Sequence, residues 1–119
     1  MEIKIEPITI ENLQIRKLAK KLDIIPKEDK LSYDDVFEWL LKSKKIYFYV
    51  KFDPTFKRYT YIANNLENND NWLQGVEIYN KLYNSYGDAL ICGLITVLKR
   101  VLDIRQAAAM DFFEKEMSK

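Results

Sequence analysis

Hydrophobic positions along the chain follow two periods, one near 3.6 and one of two, and they change from one to the other at marked boundaries. Ile15, Leu18, Ala19 and Leu22 recur at i, i+3, i+4 and i+7, with Arg16, Lys17, Lys20 and Lys21 off that stripe. This is an amphipathic helix, and it should stop near Asp23, ahead of Pro26. Before it, Ile3, Ile5, Ile8 and Ile10 flank Pro7 and read as an extended edge strand, because proline has no amide to give to a ladder. Residues 23–31 are charged and contain Pro26, the composition of a connecting loop. A second helix starts after Ser32, since the Ser32 hydroxyl and the Asp35 carboxylate are spaced to cap each other's backbone amides. Tyr33, Val36, Phe37, Leu40 and Leu41 mark its inner stripe and Trp39 the edge, while Lys42, Lys44 and Lys45 suit its negative C-terminal end.

From Ile46 the period falls to two. Ile46, Phe48, Val50 and Phe52 alternate with Tyr47, Tyr49 and Lys51, residue types that favour a pleated surface. Asp53, Pro54 and Thr55 supply turn chemistry and Arg58–Ala63 resumes strand composition, so the two runs form an antiparallel hairpin with a tyrosine-rich outer face. Asn64–Asn71, crowded with asparagine, reads as an exposed loop. Trp72–Tyr83 fits either a helix or, at Val76–Tyr79, a short third strand, and the strand is the preferred reading. Ser85 and Asp88 repeat the earlier cap, and Tyr86, Ala89, Leu90, Gly93, Leu94, Val97, Leu98 and Val101 then form the strongest stripe in the chain, widened by Ile91 and Ile95. A glycine in a helix interior costs about 1 kcal/mol against alanine. Gly93 on the packed stripe therefore implies that another backbone approaches closely. No glycine or proline follows, so the helix should run on past Asp103.

Together these elements predict one α+β domain spanning 1–119. It has two N-terminal helices, a small antiparallel hairpin or three-stranded sheet, and a long C-terminal core helix whose tail protrudes from about residue 104. Three segments carry a resemblance as well: Leu18-Ala19-Lys20-Lys21-Leu22; Tyr33, Val36, Trp39 and Leu40; and Tyr83, Ser85, Tyr86, Ala89 and Leu90. In order and spacing the chain resembles a group of small phage- or prophage-associated proteins of gut bacteria. That group has no assigned activity, so the resemblance implies a fold and a mobile-element origin and brings no catalytic residues. The chain departs from the pattern at Gly87, where an acid is usual, and in the residues that follow Leu102.

Composition narrows the chemistry. Of 119 residues 48% are hydrophobic, enough for one core, and 19 basic residues against 18 acidic ones leave a net charge of +1. No whole-chain field draws the protein to nucleic acid or an anionic membrane, so any partner must be read by a local patch. Histidine is absent, which removes the commonest general base and metal ligand. Cys92 is the single cysteine and lies in an apolar run, so it reads as a small buried hydrophobe with neither disulfide nor zinc role. The N-terminus lacks a secretory pattern and the apolar stretch Ala89–Leu98 is too short to span a bilayer, so a cytoplasmic location without membrane association is expected.

Four groups of residues compete for a role. Arg16, Lys17, Lys20 and Lys21 stand on adjacent turns, a spacing suited to phosphates, although a solvated helix face looks the same. Tyr47, Tyr49, Tyr59 and Tyr61 are a candidate platform for stacking bases, with cross-strand packing as the plainer reading. Asp34, Asp35 and Glu38 gather at a helix start and are a minor candidate for a magnesium-dependent nuclease site, with complementing the helix dipole as the plainer reading. Met110, Phe112, Phe113 and Met117 lie beyond the sheet that the last helix covers, so they should mediate self-association as a homodimer unless the tail folds back on the first helix. The expectation is a non-enzymatic accessory or interaction protein of a phage or mobile element, with an unknown protein partner and no cofactor or metal. The alternative is a nucleic-acid-binding module using the basic helix and the tyrosine-rich hairpin.

Overall fold

The computed structural model describes residues 8–67, the backbone of 70–74, and residues 82–117. In chain order the elements are α1 (Leu13–Lys21), α2 (Tyr33–Lys44), β1 (Ile46–Asp53), β2 (Arg58–Asn65), β3 (Asp70–Gln74) and α3 (Tyr86–Met117). Each helix begins where a short polar side chain takes up an orphan amide. Asn12 Oδ1 accepts from the Ile15 amide at 3.0 Å and Ser85 Oγ from the Asp88 amide at 3.1 Å. At α2 the capping box is complete, with the Asp35 amide donating to Ser32 Oγ at 3.2 Å and the Ser32 amide to Asp35 Oδ2 at 3.0 Å. α1 ends in a Schellman motif whose left-handed residue is Asp23 at φ 60°, the Ile24 amide reaching Ala19 O at 2.9 Å and the Asp23 amide Lys20 O at 3.2 Å. Lys45 (φ 56°) closes α2 in the same left-handed region.

β1, β2 and β3 form an antiparallel sheet in that order. Asp53 Oδ1 holds the hairpin turn by accepting from the amides of Thr55 at 2.9 Å and Phe56 at 3.2 Å, and Lys57 (φ 52°) returns the chain into β2. β3 lies earlier than the anticipated strand at Val76–Tyr79, which falls outside the described residues. Asn64 and Asn65, expected in a loop, close β2 opposite Asn71 and Asp70, with a bulge after Ala63. The asparagine chemistry acts one step later, where Asn65 Oδ1 takes the Glu67 amide at 3.0 Å and turns the chain. Tyr83 then pairs with Tyr59 through two backbone hydrogen bonds of 2.8 Å. Of the anticipated N-terminal strand the described part contributes one bridge, Thr9 with Ser32, and residues 1–7 lie outside the description.

Among the described residues the helices pack on one side of the sheet, α2 on β1, α3 on β2 and β1, and α1 on α3. Val36, Leu40, Phe48, Tyr61, Ala63, Leu94, Val97 and Leu98 meet in the core. The closest approach is at Gly93: a Cβ placed there would lie 2.6 Å from Tyr61 Cγ and 2.8 Å from Tyr61 Cβ and Cδ1. These atoms are the root of the ring, which cannot swing aside. Three sequence expectations of burial fail. Cys92 and Leu41 are exposed because each stands off the side of its helix that meets the sheet, whereas Tyr86 shares the phase of Gly93 and touches Tyr59 but is half exposed because it opens the helix.

Gly93→Ala should lower stability by up to about 2 kcal/mol, the overpacking cost of roughly 1–3 being offset by a helix-propensity gain of about 1. Gly87→Ala, with nothing within 4 Å of the new methyl, should leave the urea midpoint unchanged or slightly raised. Lys45→Gly should raise stability by about 0.5–1 kcal/mol in the same assay, because glycine adopts the left-handed C-cap without steric cost.

Candidate functional site

The hairpin register decides the tyrosines. Val50 faces Tyr61 and Phe52 faces Tyr59 across the ladder, so Tyr59 and Tyr61 share the inner face with Ile46, Phe48 and Val50. Tyr47 and Tyr49 point the other way, as successive side chains on a strand must. The four-tyrosine platform is therefore not assembled. Tyr61 is 0% exposed and stacks on Phe48 at 5.9 Å, which stacks in turn on Phe37 at 5.9 Å. Tyr59 packs between Phe52 at 5.2 Å and Tyr86 at 6.2 Å. Only Tyr47 and Tyr49 remain on the outer face, side by side at 5.4 Å.

The basic run is exposed along α1, and it divides. Arg16 and Lys20 line a groove of about 440 Å³ between α1 and the 24–31 segment, with Ile10, Ala19, Ile24 and Leu31 as its apolar wall. Lys30 joins them there, and Glu11 and Asp29 offset part of the charge. Lys17 and Lys21 do not line it. This groove lies on the helical side of the molecule and the Tyr47–Tyr49 pair on the opposite face of the sheet, so the two halves of the nucleic-acid reading are not brought together.

The acids at the start of α2 are engaged structurally. Asp35 is spent on the capping box, and Glu38 is held between Lys27 and Lys42. The Lys27 hydrogen bond first, and the Lys42 hydrogen bond second, lower the Glu38 carboxyl to about 2. The same contact with Glu38 raises the Lys27 ammonium. This clamp ties the 23–31 loop, and so one wall of the groove, to α2. Among the described residues no three acids or cysteines are gathered as a metal ion would require, and no helix is long and apolar enough to cross a membrane.

The remaining surface is the end of α3. The helix is continuous from Tyr86 to Met117, and Val101 is its last buried residue. The tail does not fold back on α1; it extends outward, with Met110, Phe112, Phe113 and Met117 each more than 60% exposed. At roughly 100° per residue, these four do not share a face. Phe112 lies with Ile104 and Ala108 on the continuation of the buried stripe, while Met110, Phe113 and Met117 lie on the back of the helix. Ile104 and Ala108, eight and four residues before Phe112, keep its helical spacing in the sequence but were not among the residues expected to self-associate. A second groove of about 400 Å³ opens at the root of the tail, lined by Lys44, Ile46, Asn65, Val101, Ile104, Arg105 and Ala108. Arg105 also reaches Asp23 at 3.4 Å across the end of α1. Compared with known families, with characterised proteins and with solved structures, the chain finds no match.

A side-chain carboxyl titration by NMR should place Glu38 near pH 2. Lys27→Met and Lys42→Met should each move it back toward the ordinary glutamate range. Because the folded value is depressed, whatever this clamp adds to stability is present above the unfolded carboxyl value and lost as pH falls toward 2.

Proposed function

We propose that this chain is a non-enzymatic interaction protein whose docking element is the projecting end of α3. The observation that supports this reading most strongly is the exposure of every residue from Asp103 to Met117, including Ile104, Met110, Phe112, Phe113 and Met117. Large apolar side chains held in water have no structural use within their own domain, and exposed apolar surface marks a site of association. The resemblance to small phage- and prophage-associated proteins fits an accessory role in a mobile element, in which the partner is another polypeptide.

Nucleic-acid binding is the second reading, favoured by Arg16, Lys20 and Lys30 around one groove. Phosphate contacts weaken steeply as salt rises, which separates the two. In anisotropy titrations with labelled DNA and RNA the protein should form no complex at physiological salt. Purified from its native host, the full chain should retain a polypeptide partner that a truncation ending at Arg105 loses. Salt-sensitive nucleic-acid binding that is abolished by Arg16→Glu with Lys20→Glu, and kept by the truncation, would overturn the proposal.

A further inference from the structure

We infer that the tail of α3 pairs with the same segment of a second copy, antiparallel, through the face formed by Ile104, Ala108 and Phe112. The inference rests on the reading of the tail as a docking element and names its partner.

The spacing of that face is self-complementary. Ile104 and Phe112 each stand four residues from Ala108, so a two-fold axis at Ala108 sets Ile104 of one copy against Phe112 of the other at both ends. Ala108 at the crossing carries only a methyl group, which lets the two helices approach closely. Phe112 of the second copy then arrives beside the groove at the root of the tail, whose apolar lining is Ile46, Val101, Ile104 and Ala108. A ring that is 68% exposed in one chain gains a site to fill.

Charge selects the direction. By helical phase Arg105 and Glu116 flank one side of the stripe, and Arg100 and Asp111 flank the other. In a two-fold antiparallel pair like flanks meet. Each arginine of one copy therefore comes within roughly 8 Å, along the axis, of the acid on the matching flank of its partner, a distance a long side chain spans. The exposed pair of Arg105 with Asp23 leaves that guanidinium half in water and does not compete strongly. The opposite stripe of Met110, Phe113 and Met117 lacks this property: an axis through its centre would set Glu114 beside Glu114 of the second copy.

Sedimentation equilibrium on the full chain tests this, with circular dichroism to confirm that each variant is folded. The wild type should be dimeric at micromolar concentration, and Phe112→Glu should weaken the dimer at least about tenfold, whereas Phe113→Glu leaves it intact. In a Cys92→Ser background, Ala108→Cys should form an intermolecular disulfide under mild oxidation, and Ile104→Cys should not. A wild type that is monomeric at high micromolar concentration overturns the inference. So does a dimer that dissociates with Phe113→Glu alone, and so does cross-linking through Ile104→Cys, which requires a parallel pair. A monomer whose tail still retains a different polypeptide refutes self-pairing while leaving the docking role in place.

Discussion

Everything in this fold is arranged around the contact of Gly93 with Tyr61. The space for one hydrogen atom on α3 is occupied by the base of an aromatic ring on β2, so the helix lies closer to the sheet than a side chain would allow. That approach fixes which strand α3 crosses and where Leu94, Val97 and Leu98 enter the core. It also sets Tyr61 against Phe48 and Phe48 against Phe37, linking α3, the sheet and α2 through one row of rings. Interiors packed at crystal density transmit such a constraint with little slack.

The same contact explains the fate of the tyrosines. A strand has only two faces, and once Tyr61 is committed to Gly93, Tyr59 follows it to that face while Arg58, Thr60 and Ile62 take the opposite one, where Thr60 and Ile62 are also buried. Counting tyrosines per strand suggested a common surface; the pairing register divides them. The signal that separates them was present in the sequence. β2 reads Tyr59, Tyr61, Ala63 on one side and Arg58, Thr60, Ile62, Asn64 on the other, and a helix glycine needs a large neighbour to fill its gap.

Local chemistry was legible in the sequence wherever it depends on near neighbours. Ser32 with Asp35, Ser85 with Asp88, the alternation of β1 and the unbroken run of α3 all appear where spacing places them. What depends on distant partners was not legible. The exposure of Cys92 follows from which side of α3 meets the sheet, and the groove beside Arg16 and Lys20 exists because the 24–31 segment folds against α1. The tail was anticipated as an apolar extension, but the division of its side chains into two faces needed the phase of the helix relative to the core.

The continuity of α3 has a kinetic consequence. A detached peptide of the tail's length would be marginally helical in water, whereas here the buried turns up to Val101 act as a nucleus already formed, onto which residues 104–117 extend as one rod. In the proposed docking role, its face would be shaped before any encounter, and association would not have to wait for, or expend free energy on, coil-to-helix ordering. A preformed helix of this kind would engage as a rigid body, with selectivity expressed in how long the complex lasts rather than in how slowly it assembles.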